Sequence, residues 1–232
     1  MYLTCKFDVE GKQKRSIDVG RLLNQFCDTK KAFSIVLLLV GMHVPSAVAV
    51  TYCALRDPVA AIHQLYPGPV TFRTYVGTFN QELDLALAAK LPFEIHADEF
   101  GRHSLYVIFE NKQPTGFVQA RSELGEWGID EIVWALDLRL QVSGFVFQRT
   151  RNSASNELTT EKFQTLLQGL GMDELKELLD RLNSGDTSDL GISQQGLELA
   201  LSVIRSAMKT ISVTQLIWKD VLVSNGITKL AR

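Results

Sequence analysis

No Asp, Glu, Lys or Arg stands between Lys31 and Arg56, and this uncharged window follows directly on a basic amino-terminal segment. Its sequence, AFSIVLLLVGMHVPSAVAVTYCAL, is long enough to raise the question of a membrane-crossing helix. Such a helix needs about 20 consecutive, predominantly apolar residues. The apolar run stops at Gly41-Met42-His43, and Pro45-Ser46 follow at once. The window therefore predicts one buried element of about a dozen residues, a turn, and an alternating stretch from Ala47 to Leu55. An apolar turn beside a basic surface is also one way for a soluble protein to touch a membrane.

The 232 residues suffice for one large domain or two small ones. A hydrophobic share of 46% with 22% charged residues describes a folded chain rather than a disordered one. The net charge of −2 hides an uneven distribution. Residues 1–31 hold seven Lys/Arg against four Asp/Glu, whereas residues 81–137 hold eleven Asp/Glu against four Lys/Arg. A chain with a basic end and an acidic belt can pair with copies of itself, or offer its basic end to phosphate. Cys5, Cys27 and Cys53 form no C-x-x-C pair and read as buried thiols in a reducing compartment. MYLTCKFDVEGKQKR lacks the apolar core of a signal peptide and Gly does not follow Met1, which predicts a cytosolic protein.

Through about Thr150 the pattern is mixed. Tyr2–Val9 alternates and turns at Glu10-Gly11-Lys12 into Gln13–Asp18, a hairpin signal, and Val19–Cys27 has helical spacing. Asp57-Pro58 reads as a helix start leading into VAAIHQLY, with an end at Pro67-Gly68-Pro69. Val70–Val76 reads as a strand and Gln81–Lys90 as a short helix. Phe93–Ala97 and His103–Asn111 predict a hairpin closed by Asp98-Glu99-Phe100-Gly101. Leu136–Val142 alternates without a fault and predicts a strand that Gly144 turns into Phe145–Arg149. The expected fold class is α+β, an antiparallel sheet with packed helices over residues 1–150, followed by a helical carboxy-terminal part. RNSASNE, residues 151–157, reads as a linker. Residues 158–232 read as a separate helical module of four short amphipathic helices, with apolar stripes at Phe163–Leu170, Leu175–Leu182, Leu197–Met208 and Leu216–Leu222. Thr159, Ser193 and Ser212 are the candidate caps.

No phosphate-binding glycine loop, nucleophile elbow or zinc-finger spacing occurs. His96 and His103 would fall opposite each other in the expected hairpin, where Asp98 or Glu99 could add an oxygen, but two histidines and a turn carboxylate leave a metal set incomplete. They are expected to be a cross-strand polar pair, so neither a metal nor any other cofactor is expected. Asp98 followed by Glu110-Asn111-Lys112 imitates a metal-dependent nuclease, yet carboxylates at a turn and eight residues up a strand stand roughly 25 Å apart, too far to share an ion. The plausible anion-binding surface is Lys12, Lys14, Arg15, Lys30 and Lys31, with Ala47 and Val48 as apolar membrane contacts. Five cations near an anionic bilayer contribute about 1 kcal/mol each, enough for reversible attachment when apolar insertion assists. The bland reading is a solvated hairpin edge protected by lysines. Sparse basic–aromatic interleaving argues against sequence-specific nucleic-acid binding.

The order of elements through residue 149 resembles that of rhabdovirus matrix proteins. LTCKFDV, RSIDVGRLLNQFCD and KKAFSIVLLLVG look like that family's first strand, first helix and following apolar helix. PSAVAV is similar to its small apolar loop, and LPFEIHADEFGRHSLYVIFENK to its following hairpin, with GFVFQR as the closing strand. The resemblance implies a non-enzymatic assembly protein of the virion, host cytoplasm and inner face of the host membrane. Its partners would be an anionic membrane surface, further copies of itself and the viral nucleocapsid. Self-association would run through Pro45, Ala47, Val48, Ala49 and Val50. No P-P-x-Y or P-[ST]-A-P motif occurs, and residues 151–232 have no counterpart in the resemblance. Two other readings stand beside it: an adaptor gripping a protein partner with the carboxy-terminal helices, and an enzyme with a site around His96 and His103.

Overall fold

The computed structural model describes residues 56–188 and 190–228, which all fall within one compact unit, Ala49–Arg232. Asp57 Oδ1 accepts the Val59 amide at 3.1 Å, and Pro58 supplies a φ already suited to helix, so α1 (Val59–Leu65) starts where the sequence predicts. Strand β1 (Val70–Phe79) follows, then α2 (Gln81–Ala88), capped by the Asn80 side chain on the Leu83 amide. A 3-10 turn, Ala97–Glu99, leads into β2 (Gly101–Glu110), β3 (Gln113–Gly125), β4 (Gly128–Leu136) and β5 (Val142–Arg149). The remaining elements are α3 (Ser155–Leu158), α4 (Glu161–Leu167), α5 (Met172–Asn183) and α6 (Gln194–Ser224). The strands form one antiparallel sheet in sequential order, which makes the fold α+β, as its sequence predicts.

Both faces of this sheet are covered. On one, Ala61 and Ile62 of α1 pack on Ile108, Val118, Ala120, Val133 and Ala135. On the other, α6 lies across β1, β3 and β4, and α5 packs on α6. Trp134 donates its indole N–H to Ser206 Oγ at 3.0 Å, joining sheet and helix inside the core. Gly77 allows the closest approach, because a Cβ there would collide with the Ile217 side chain. β3 and β4 are consequently buried on both faces, and their sequences show no clean alternation by which to recognise them.

Four expectations are corrected here. The hairpin Phe93–Ala97/His103–Asn111 does not form: His96 caps the 3-10 turn, its Nδ1 accepting the Asp98 amide at 3.3 Å while Glu99 Oε1 accepts the His96 amide at 3.4 Å. β2 pairs instead with β1 and with β3, through a two-residue turn at Asn111 (φ 50°) and Lys112 (φ 65°). Leu136–Val142 is no single strand either: Leu136 ends β4, Val142 begins β5, and residues 137–141 form a loop between them. Asp137 Oδ1 accepts the Arg139 and Gln141 amides, both at 2.8 Å, and Leu140 takes φ 64°, so the alternating letters belong to a closed loop. Gly144 lies inside β5, opposite Ala135.

The third correction concerns the boundary at residues 151–157. Asn152 and Ala154 are buried, Ser155–Leu158 is helical, and Glu157 accepts the Ser193 amide (2.7 Å) and hydroxyl (2.9 Å) at the start of α6. Leu158, Phe163, Leu175 and Leu197 share one core with Trp134 and Phe145, so the helical third packs on the sheet rather than standing alone. Fourth, the two expected helices over Leu197–Met208 and Leu216–Leu222 are one helix of 31 residues. Ser193 caps it on the Gly196 amide, whereas Ser212 lies buried in its middle. No helix among the described residues is long and apolar enough to cross a membrane.

Candidate functional site

Strands β2 and β3 are hydrogen-bonded only from Tyr106/Val118 to Glu110/Gln113. Beyond that point they part. Gly101–Leu105 stays paired with β1, and Gln119–Gly125 with β4, leaving the facing edges of β2 and β3 without each other. The cause lies in the residues that enter the gap. The 3-10 turn carries Glu99 towards β3, where Arg121 Nη2 donates to Glu99 Oε2 at 2.5 Å. Arg121 Nε lies 3.5 Å from Glu123 Oε1. From α6, Lys209 Nζ donates to Glu99 Oε1 at 3.0 Å and Oε2 at 3.1 Å, and also to Glu123 Oε2.

These two acids and two bases close a ring in which each acid touches both bases, with all four side chains under 10% exposed. Burial by itself would raise the Glu99 carboxyl, but the neighbouring Arg121 and Lys209 charges outweigh it and hold it below the ordinary carboxylate range. His103, next to the ring, has its Nε2 at 2.8 Å from the Glu99 carbonyl. A carbonyl only accepts, so Nε2 carries the proton and Nδ1 is the open acceptor. Burial, reinforced by the Arg121 charge, lowers the His103 pKa and favours the neutral ring.

Above the ring the parted strands open into a cleft of about 500 Å3 on the α1 side of the sheet. Its walls are Phe72 and Thr74 of β1, Ser104 and Tyr106 of β2, and Ala120 and Ser122 of β3. Arg56, Asp57 and Arg102 stand at the lining, and Glu99, His103 and Arg121 show through where the ladder ends. Phe72 and Tyr106 meet edge to face at 5.6 Å and form a fixed aromatic wall. The size, the apolar wall and a few convergent polar groups are the ordinary attributes of a small-molecule pocket.

Only part of this was expected from sequence. His103 lines the cleft, but His96 does not join it, serving instead as the cap of the turn. Among the described residues no group of three His, Cys, Asp or Glu side chains could hold a metal ion. Asp98 precedes β2 and Glu110 ends it, so the nuclease-like pair is split by the length of a strand. Lys12, Lys14, Arg15, Lys30, Lys31, Pro45, Ala47, Val48, Ala49 and Val50 lie outside the described residues. Arg121, Glu123, Lys209, Phe72 and Tyr106 were missed. Lys209 did leave a signal, as the single charge in the stretch from Ser206 to Trp218. Of the acidic belt, Glu99, Glu123, Asp130 and Glu131 are buried, so it is partly internal. In comparisons with known proteins, no protein-family model and no curated protein matches the chain.

Proposed function

We propose that this unit binds a small organic molecule in the cleft where β2 and β3 part. The observation that carries the reading is the interrupted ladder: half of β2 and half of β3 face each other unpaired across a cavity with an aromatic wall and unspent polar groups. A continuous sheet would satisfy those backbone groups itself, and a bound molecule can take that role. The reading shares with the enzymatic alternative its location at His103, and differs in asking only for binding. A ligand that fits raises the melting temperature of the folded protein by mass action. The test is a thermal-shift screen of small metabolites against the native chain and Ser104→Trp, which places a large ring in the cavity. Hits that stabilise the native chain and not the variant are expected. Equal shifts in both, or no hit at all, would overturn the reading.

A second reading rests on the amino-terminal sequence, where seven basic residues precede the uncharged window. It is that of a matrix-like assembly protein, binding an anionic membrane face, associating with itself and linking membrane to nucleocapsid. The hairpin of the resemblance does not form and the acidic belt is partly buried, so neither supports it. Its test is sedimentation with phosphatidylserine liposomes, which should fail at high salt and in the Lys12→Glu/Lys14→Glu/Arg15→Glu variant. Equal sedimentation with neutral vesicles would sink it. The adaptor reading has lost its motive, since no large apolar side chain of the described carboxy-terminal helices is exposed.

A further inference from the structure

The charged groups around the cleft are not in the same condition. Two of its acids are engaged: Asp57 Oδ1 accepts the Val59 amide, and both Glu99 oxygens take Arg121 and Lys209. Its cations are less completely engaged. Arg121 has a side chain only 3% exposed, yet its Nη1 has no hydrogen-bond partner, although Nε and Nη2 are both directed to carboxylates. The side chains of Arg56 and Arg102 make no hydrogen bond or ion pair among the described residues. A buried guanidinium N–H without an acceptor is costly, more so than a neutral donor. What the cleft lacks is a negatively charged acceptor.

Resting on the proposed binding reading, we infer that the ligand carries an oxyanion, a carboxylate or phosphate, seated on Arg121 Nη1 and Arg102, with an apolar or aromatic body against Phe72 and Tyr106. A guanidinium fork suits both oxyanions, since two N–H groups can meet two oxygens. Ser104 and Ser122 supply hydroxyls at the same lining, and an aromatic body finds the edge-to-face wall already formed. The anion would complete the hydrogen bonding of Arg121 without disturbing the ring beneath, because Nε and Nη2 keep their carboxylates.

The experiment titrates the full chain with phenyl phosphate, benzoate, inorganic phosphate and the neutral analogue benzyl alcohol, by calorimetry and by NMR of the arginine side-chain N–H groups. Native protein, Arg102→Gln and Ser104→Trp are compared. The Arg102 side chain is exposed and has no partner among the described residues, so its removal leaves the fold standing, which the melting temperature checks. Phenyl phosphate or benzoate is expected to shift the Arg121 side-chain resonances, and Arg102→Gln to weaken binding by about tenfold, the loss of one charged hydrogen bond. Ser104→Trp should abolish it. Benzyl alcohol binding as tightly as phenyl phosphate, unaffected by Arg102→Gln but abolished by Ser104→Trp, would overturn the anion and keep the cleft. No probe binding, or binding that Ser104→Trp leaves intact, would overturn both. Phosphatidic acid vesicles form a separate arm: if they bind through Arg102 and the soluble anions do not, the anion belongs to a lipid and the small-molecule ligand is overturned.

Discussion

Lys209 shows what a single side chain does in this molecule. It is the only member of the ionic ring that comes from α6, and it touches both acids. Removing it leaves Glu99 and Glu123 buried with Arg121 as their only cation among the described residues. Breaking a buried pair by deleting one partner typically costs about 3–5 kcal/mol, so Lys209→Met should lower stability by that amount in denaturant melts. Acid should act on the same place. Glu99 is held below its ordinary 4.5, and His103 below its ordinary 6.5. In both cases the unfolded chain takes up the proton first as pH falls. The contribution of these two groups is therefore full above pH 6.5, begins to fall there through His103, and falls further below pH 4.5 through Glu99. Stability rising from neutral pH towards pH 5 would contradict this assignment. At the alkaline end, burial, aided by the Asp137 charge, raises the Tyr66 phenol to about 12. Phenolate absorbance should accordingly show one tyrosine titrating near 12 in the folded chain, and none of that delay after unfolding.

At the scale of elements, turns determine which strands meet. The β2–β3 connection puts both central residues at positive φ, Asn111 at 50° and Lys112 at 65°. Asparagine tolerates that region and lysine does not gain from it, so Lys112→Gly should stabilise the hairpin by up to about 1 kcal/mol, read as a higher denaturation midpoint with unchanged slope. A loss of stability would mean that the Lys112 side chain contributes a contact. At Gly77 the expectation has the opposite sign. Ile217 and Trp218 of α6 stand where its Cβ would be, so Gly77→Val must push the helix off β1 and should destabilise by about 1–3 kcal/mol. The ladder break between β2 and β3 likewise follows from element geometry, because the turn at Ala97–Glu99 occupies the gap with a carboxylate that two cations hold.

Among the described residues the larger core runs from β1 to the end of α6 on one face of the sheet, with a smaller one under α1 on the other. Trp134 stacks near Phe145 at 5.0 Å and reaches Ser206, while Phe145 also meets Phe163 of α4 at 6.3 Å. A chain ending at Arg149 would expose that entire sheet face, together with Arg121, Glu99 and Glu123 stripped of Lys209. It should be insoluble or lack fixed tertiary packing, which near-ultraviolet circular dichroism would report. A well-folded fragment of that length would restore the boundary at residues 151–157.

Local chemistry was legible from the letters alone. Asp57-Pro58 starts a helix, Ser193 caps one, and the leucines of Leu175–Leu182 mark an amphipathic face, because each depends only on neighbours within a turn or two. The α+β class followed from the same signals. Contacts distant in sequence decided the rest. β3 and β4 are covered on both faces, so their polarity carries no period, and Leu136–Val142 carries one without being a strand. Glu99, Arg121, Glu123 and Lys209 look like ordinary charges in the sequence. They become a site only when a helix more than 80 residues away brings its ammonium to two carboxylates in a place largely shut off from water.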